Sequence, residues 1–440
     1  MAITAAERRL LAGVALVVAV VLASVGSCTP AGPPAPEPVL GQPEQRRTDR
    51  SPEPTNESGE PRVRIGLAVG ASSAWIGGGA DLVVTDPSGA HLAAIPAGER
   101  WRAVPSGIGV SVQPPDRMGT TPSEVIAVMA GDPSQLVRVN GRTYRGIVEI
   151  VRDTAGLTLV NRVFLEAYLL GVVSAEMGRR SLAEFEALKA QAVVSRTYAL
   201  RHLGRRKALG FDLQAGVADQ VYVGSGSESP EGLEAVQSTR GMVLTHGGAP
   251  IDAFYYSTCG GQTADGVEAF RAGSRPYLRS FPDVDPNGEA YCRISPRYRW
   301  REEWTGASLQ ATLRRTLPAV TGTSSDRIGA VHDVWVAQRT ASGRVGRLAL
   351  TVGSSQVMVE GPAVRQVLRP ASGDLLRSSA FTLNPTATSG SITRLVADGR
   401  GAGHGVGLCQ WGAVGRSRAG HDFRRILAAY FPGATLQRVY

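Results

Sequence analysis

Short runs in which apolar and polar residues alternate fill the stretch from residue 62 to residue 160. Such a period of two predicts strands at 62–69, 90–95, 109–112, 147–151 and 157–160. Val137-Arg138-Val139 and Arg142-Thr143-Tyr144 flank Asn140-Gly141, which predicts a hairpin closed by a type I′ turn. The period then changes. Leu165, Leu169, Val172 and Val173 recur at helical spacing, and Glu176 continues their line, i+3 from Val173 and i+4 from Val172. A second helix is expected at about 184–202, capped by Ser181 or a neighbour, with a small-residue inward line of Leu188, Ala192, Ser195 and Ala199 that lets a partner helix lie close. A hairpin turning at Gly247-Gly248 follows over 241–256. Residues 295–368 read as strands at 331–336, 347–352 and 356–359 with a helix near 308–317. A last helix over 422–430 is closed by Pro432-Gly433. Helices and strands are segregated rather than alternating, so the expected fold class is α+β, with two packed core helices (about 165–176 and 184–202), a β-rich part at 62–160 and a strand-rich insertion. Whether 62–160 is a separate module or the first layer of the main domain stays open.

The acid on the apolar stripe changes the picture from fold to chemistry. An anion there is costly, so the carboxyl of Glu176 is expected to hold its proton to higher pH, which a general acid requires. The alternative is a solvated residue in a last helical turn. On the second helix, Lys189, Gln191 and Arg196 flank the small-residue line as candidate binding groups. The chain holds 47 Lys plus Arg, and Lys stands only at 189 and 207, so Lys189 departs from a strong preference for arginine.

The N-terminus bears on location. Arg8 and Arg9 precede an apolar run over 10–25 and then Gly26-Ser27-Cys28. Residues 1–28 read as a signal peptide with a lipobox-like end, Cys28 carrying the lipid; an uncleaved anchor and plain secretion are the alternatives, and each places the rest outside the cytoplasm. Residues 29–61 are rich in Pro, Glu, Ser and Gly and read as a disordered tether. The formal net charge of +9 suits anionic wall polymers or lipid head groups, and with neither long basic runs nor an aromatic ladder no nucleic-acid partner is expected.

Residues 164–201 closely resemble the SpoIID/LytB domain, through a Leu-Gly-Val-Val…Glu-Met segment followed by Glu-Ala-Leu-Lys-Ala-Gln-Ala-Val…Arg-Thr-Tyr-Ala. Three further segments match in order: Asp219-Gln220-Val221-Tyr222-Val223-Gly224, Tyr256-Ser257-Thr258-Cys259-Gly260-Gly261-Gln262-Thr263, and the glycine-rich stretch from Gly399 through His404, Gln410 and Trp411 to Ala413. The resemblance runs from about residue 62 to the C-terminus, with residues 161–440 as the catalytic region and a variable insertion at about 295–390. It implies a protein acting on peptidoglycan glycan strands as a lytic transglycosylase, with Glu176 as the catalytic acid. Some relatives enhance a cell-wall amidase, which implies a non-catalytic binding role as the alternative. Ordinary hydrolysis would need a second carboxylate, for which Asp219 and Asp252 are the candidates. Gln220, Tyr222, Tyr256, Ser257, His404 and Gln410 join the candidate glycan contacts, with Trp411 as core or stacking platform. The family usually has Pro after the Glu-Met pair; Gly178 stands there in this chain and is expected to loosen the loop.

Four cysteines occur, at 28, 259, 292 and 409. Cys259 and Cys292 are expected to form a disulfide in an oxidising compartment. No cofactor is expected; the alternative is zinc held by Cys259, Cys409 and His404, because some family members bind zinc near the segment matching 250–261. The glycines of 399–407 fit neither a dinucleotide-binding nor a phosphate-binding frame.

Overall fold

The computed structural model describes residues 59–270 and 274–440. The expected signal peptide, Cys28 and the expected tether as far as residue 58 lie outside the described residues. The fold starts within the last residues assigned to the tether. Glu60 is buried and its Oε1 accepts the Glu166 N–H at 2.8 Å, while the Pro61 carbonyl accepts the Leu165 N–H. Glu60 therefore satisfies an otherwise unpaired amide at the start of the first core helix.

The alternating stretch builds two sheets. One has seven strands in the order Leu213–Gln214, Arg62–Ala71, Gly156–Phe164, Ile147–Asp153, Val125–Ala130, Leu82–Thr85 and His91–Ile95. The other orders Gly109–Gln113, Arg100–Ser106, Ala74–Gly78, Val137–Val139 and Arg142–Tyr144. Asn140 and Gly141 both have positive φ, 48° and 85°, as the type I′ turn demands. Strands Ala74–Gly78 and Arg100–Ser106 escape the alternation rule for a local reason. The first reads AWIGG, and the second, RWRAVPS, carries two arginines and a proline. Both look like turns until cross-strand partners pair them.

The seven-stranded sheet delivers the helices. Arg62–Ala71 and Gly156–Phe164 run antiparallel in a register that pairs Arg62 with Phe164, and Phe164 is also the cap of helix α1, Leu165–Met177. A short 3₁₀ turn, Leu182–Glu184, leads into α2, Phe185–Arg201. The Glu184 carboxylate reaches back to the Ser181 N–H at 3.0 Å, fixing the entry of α2 near the expected capping residue. All four residues of the expected inward line of α2 are buried, and so is most of the rest of this helix. Helix α3, Pro230–Ser238, packs on both α1 and α2. One continuous apolar core runs from Val63 and Ile65 through Leu169, Val172, Val173 and Val193 to Ile426 and Phe431. The strand Leu213–Gln214 lies parallel beside Arg62–Ala71. The β-rich part and the helices thus share one core, and each fully buried Val or Leu on it contributes about 1.5–3 kcal/mol.

The insertion has a core of its own. Trp300, Trp304, Leu313, Leu348, Leu350, Phe381 and Leu395 belong to it and not to the first core. Its helix α4, Gly306–Thr321, is capped by Thr305, and its strands include Arg299–Thr305, Val331–Arg339, Val345–Val352, Ser355–Glu360, Phe381–Thr388 and Ser391–Arg400. The chain returns to the first core through residues 401–407 and then α5, Gln410–Arg418, and α6, Phe423–Tyr430, the latter capped by Asp422. No helix among the described residues is long and apolar enough to cross a membrane.

Candidate active site

Glu176 occupies the last turn of α1, and three segments remote in sequence converge on its carboxylate. The Val221 N–H donates to Oε1 at 2.8 Å and the Tyr255 hydroxyl donates to the same oxygen at 3.0 Å. Gln410 Nε2 approaches Oε2 at 3.4 Å. Every one of these donors is neutral. Burial pushes the Glu176 carboxyl above the usual carboxylate range, and the three donors oppose that without reversing it. Oε1 already accepts two short hydrogen bonds, whereas Oε2 accepts one long one. The proton of the neutral acid therefore belongs on Oε2.

A second layer of polar groups holds the donors. Gln220 is fully buried; its Nε2 donates to the Tyr255 hydroxyl at 3.3 Å and to the Ser195 carbonyl at 3.4 Å, and its Oε1 accepts from the Tyr168 hydroxyl. Gln410 Nε2 also points to Gln191 Oε1 at 3.5 Å, and Gln191 Nε2 donates to Ser195 Oγ at 2.9 Å. Gln191, Gln220 and Gln410 thus all belong to the Glu176 network. The first two are wholly buried, so they position rather than touch a ligand.

Tyr255 comes from a two-residue strand, Tyr255–Tyr256, that pairs in parallel with Leu408–Cys409, the residues just before Gln410. Two of the sequence motifs thereby meet side by side. Successive side chains of a strand point to opposite faces, so only one tyrosine of the pair can reach Glu176. That one is Tyr255, and the expected contact through Tyr256 is corrected: Tyr256 is buried on the other side against the cysteines, its hydroxyl without a partner. The Ser257 hydroxyl shares a hydrogen bond with the Thr258 hydroxyl at 3.2 Å, and its carbonyl accepts the Trp411 N–H. His404 Nε2 donates to the Tyr255 carbonyl at 3.0 Å, and Nδ1 accepts the Val406 N–H at 3.2 Å. Burial, with Arg365 and Arg344 nearby, pushes the His404 pKa down to about 3, so the ring stays neutral and serves to hold Tyr255 in place. Trp411 is half-buried beneath the Arg180 guanidinium, 4.6 Å from its ring.

Three other candidates sit elsewhere. Arg196 is wholly buried and forms a bidentate pair with Glu166, both contacts at 2.7 Å. It also donates to the carbonyls of Met242 and Val236, so it has no surface left for a glycan. Tyr222 is buried against Tyr144 and Tyr168 and donates to Asn161 Oδ1 at 2.8 Å. Lys189 pairs with Glu186 at 2.8 Å and lies over the Phe185 and Phe423 rings, apart from the Glu176 network. Both proposed second carboxylates are also engaged. Asp219 accepts from Tyr198, Arg205, Arg206 and the Gln214 N–H, and Asp252 accepts from Arg201, Arg275 and Tyr277. Burial acts to raise the Asp252 carboxyl, but Arg201 and Arg275 hold it below the usual range.

Gly178 corrects the expectation of a loosened loop. It ends α1 at φ 65°, ψ −170°, a region that is essentially glycine-only, and its N–H donates to the Ser174 carbonyl. Proline could adopt neither that φ nor that hydrogen bond. In the glycine-rich motif, Gly401, Gly403, Gly405 and Gly407 all have positive φ, and a Cβ at Gly403 or Gly407 would strike Tyr256 or the Phe254 carbonyl. These glycines let the 401–407 loop lie directly against the 254–260 segment.

Behind Tyr256 the sulfurs of Cys259, Cys292 and Cys409 lie within 4.8 Å of one another, all buried. Cys259 and Cys292 are free thiols 3.3 Å apart. The N–H groups of Cys259 and Gly412 point at the Cys409 sulfur, and the Gly261 N–H at that of Cys259. Three soft donors with amide N–H support are a set that zinc accepts. His404 is not among them, which corrects the expected Cys259/Cys409/His404 grouping: its two nitrogens are spent on backbone, and Cys292 stands in its place.

A profile of the Stage II sporulation protein family matches residues 153–246, and a domain of unknown function, DUF8618, matches 288–407, which coincides with the region of the second core. The chain is 30% identical over 301 residues to an uncharacterized protein of Brachyspira hyodysenteriae, covering 68% of this chain and 73% of that one. It is 27% identical over 292 residues to the Stage II sporulation protein D of Bacillus subtilis, covering 63% and 75%. It is also 27% identical over 300 residues to the amidase enhancer of Bacillus subtilis, covering 61% of this chain and 40% of that one. With its Glu-Met helix end, its tyrosine strand and its glycine-rich loop assembled around one acid, the chain belongs to the SpoIID/LytB family.

Proposed function

We propose that the chain cleaves peptidoglycan glycan strands as a lytic transglycosylase. The observation that carries this reading is Glu176, a carboxyl that burial pushes above the usual carboxylate range and that only neutral donors hold, with no second carboxylate in its hydrogen-bond network among the described residues. Glu176 Oε2 gives its proton to the glycosidic oxygen as the bond from muramic acid C1 breaks. The muramoyl 6-hydroxyl attacks C1, and the Glu176 carboxylate takes its proton. The 1,6-anhydro ring closes, no water is consumed and the acid is regenerated. One carboxyl suffices because the nucleophile belongs to the substrate, whereas a hydrolase uses two. The relative named Stage II sporulation protein D supports a cell-wall role.

The second reading is a wall-binding enhancer of an amidase, favoured by the relative that bears that name. Digesting purified glycan strands with the wild type and Glu176→Gln separates the two. Anhydromuramoyl ends from the wild type alone, read by mass spectrometry, support the enzyme. Glycan binding with no product from either protein supports the enhancer, and hydrated reducing ends would indicate a hydrolase.

We place this site outside the cytoplasm, attached to the membrane through a lipid on Cys28 or an anchor. In that compartment Cys259 and Cys292 oxidise to a disulfide and leave Cys409 as the thiol. The mass of the intact protein, two hydrogens lighter or one zinc heavier, distinguishes this from a zinc site on the three sulfurs.

A further inference from the structure

The outer face of the five-stranded sheet is a surface that the reaction above does not use. Its strands hold four arginines, Arg100, Arg102, Arg138 and Arg142, and no acid. The register sets the faces. Ala74, Ile76, Ala103, Val112 and Val139 are buried in the core, so the positions between them face outward. There Trp75 lies opposite Arg102, and Gly77 stands between Arg100 on one neighbouring strand and Arg138 on the other. Trp75 and these three arginines therefore share one face. Trp75 belongs to neither apolar core and stays 44% exposed. Asn140 clamps its backbone: the Asn140 N–H donates to the Trp75 carbonyl and Oδ1 accepts the Trp75 N–H, both at 2.9 Å. The Arg100 guanidinium lies 5.3 Å from the centre of the Trp75 ring, and a hollow of about 300 Å³ opens between Trp75, Arg100, Arg138 and Asn140. Among the described residues no carboxylate reaches the three arginines. Arg102 donates to the Ser73 hydroxyl, and Glu99, next to Arg100 in the chain, accepts from the Trp101 ring N–H. The sheets of the insertion show the alternative, with exposed arginines facing acids on the neighbouring strand: Arg301 with Asp398, Arg347 with Glu360 and Arg394 with Glu303.

We propose that this face docks a second stretch of the same glycan strand, away from the bond being cut, with Trp75 under a sugar ring and Arg100, Arg102 and Arg138 on the strand's carboxylates. The inference rests on the glycan-strand reading above. The C–H face of a pyranose ring packs against the negative face of an indole. Muramic acid, every second sugar, bears a lactyl carboxylate once its peptide is off, and a guanidinium fork takes a planar carboxylate with two parallel hydrogen bonds. A neutral polysaccharide would leave the arginines unanswered, and a membrane surface would find a single aromatic ring to bury where stable attachment needs a broad apolar face. The face also leads toward the reaction site. Thr143, opposite Arg138 on the last strand, shares a hydrogen bond with the Ser225 hydroxyl at 2.7 Å, and Arg145 just beyond it pairs with Glu228. These contacts fasten the sheet to the segment that follows Val221, whose N–H donates to Glu176.

Calorimetric titration with long glycan strands freed of peptide tests this, using the full chain with Glu176→Gln so that nothing is cut. Binding is expected to weaken with salt. Trp75→Ala should weaken it about tenfold, the order of one aromatic contact. The triple variant Arg100→Gln, Arg102→Gln, Arg138→Gln should also weaken it about tenfold, the summed worth of three exposed ion pairs. All four side chains are exposed, so both variants should fold. Chitin oligomers of equal length, which lack the lactyl acids, are expected to bind about tenfold more weakly and to be indifferent to the triple variant. With Glu176 intact, Trp75→Ala should raise KM for long strands, leave kcat alone, and leave the turnover of a tetrasaccharide unchanged. Unchanged strand binding in both variants would overturn the proposal, as would chitin binding as tightly as the strands. Loss in both variants of binding to anionic phospholipid vesicles, but not to strands, would overturn it in favour of a membrane. Strand binding that both variants weaken, with no anhydro products from the chain that keeps Glu176, would sink the transglycosylase reading alone. Anhydro products with strand binding and KM untouched by either variant would sink the docking face alone.

Discussion

The proton on Glu176 is the quantity on which the proposed chemistry turns, and two substitutions read it. The folded-state pKa lies above the unfolded one because burial disfavours the anion. The folded protein therefore binds more protons than the unfolded chain between those two values, and stability falls as pH rises through that window. Gln is neutral in both states and removes the penalty. Glu176→Gln is expected to abolish turnover yet melt above the wild type at pH 7–8, the difference vanishing below about pH 4, where Glu is protonated in both states. Melting curves across that range check the sign; an inactive variant of unchanged or lower melting temperature at pH 7 would contradict it. Tyr255→Phe removes one of two donors to Oε1 and strands a Gln220 N–H. The donor it removes holds the carboxyl down, so the alkaline limb of the pH–rate profile should move up while kcat falls about tenfold, the worth of a hydrogen bond to a charged group. His404 adds no limb between pH 5 and 8, since its ring is neutral throughout.

At the scale of elements, the sequence pattern located α1, α2 and the Asn140-Gly141 hairpin because each carries its periodicity or turn chemistry locally. It missed Ala74–Gly78 and Arg100–Ser106, whose residues become strands only through pairing with distant partners. The site divides the same way. Glu176 and Gln410 were legible because an acid on an apolar stripe, or a polar residue in a dense motif, is locally anomalous. Tyr255 was not, because choosing between adjacent tyrosines needs the facing of a strand that sequence does not set. Arg196 misled for a related reason: its role depends on Glu166, thirty residues earlier on α1. Burial acts to raise the Glu166 carboxyl, but Arg196 and the Tyr440 hydroxyl hold it below the usual range. Arg196→Met would leave that carboxylate buried without its cation and is expected to cost about 3–5 kcal/mol in denaturant unfolding. Glycan binding per folded molecule should be unchanged, since the side chain has no exposed surface. The end of α1 gives the opposite test. Gly178→Pro would restore the residue common in the family, yet here it forces φ from 65° to about −65° and removes an N–H bonded to Ser174. A loss of about 3 kcal/mol is expected, with lower turnover because the last turn of α1 carries Glu176. A stabilised variant would show that the helix end is not fixed by this cap.

Two cores that share no residue raise the question of what makes the whole molecule act as one. Arg344 is one answer, since it starts in the insertion and ends in the reaction domain. It is buried, with Nη1 on Ser342 Oγ and Nη2 on the carbonyls of Cys259 and Gln262, and its guanidinium lies against Gly405 of the glycine-rich loop. A side chain at Gly405 would occupy the space of that guanidinium, so the loop and the arginine fit each other. His404 next to it holds the Tyr255 carbonyl, and Tyr255 holds Glu176, so the insertion reaches the acid through a chain of direct contacts. Arg344→Ala removes hydrogen bonds from a charged donor, each worth about 1.5–3 kcal/mol, and leaves buried carbonyls unpaired. The insertion keeps its own apolar core, so it should still fold, but its melting should no longer be locked to that of the reaction domain. Calorimetry of Arg344→Ala is expected to show two resolved transitions where the wild type shows one, and kcat should fall with the loosened 401–407 loop while the position of the alkaline limb, set by Glu176, stays put. A single cooperative transition in the variant would mean that the two cores are coupled by their apolar and backbone contacts, and that Arg344 is only one fastener among several.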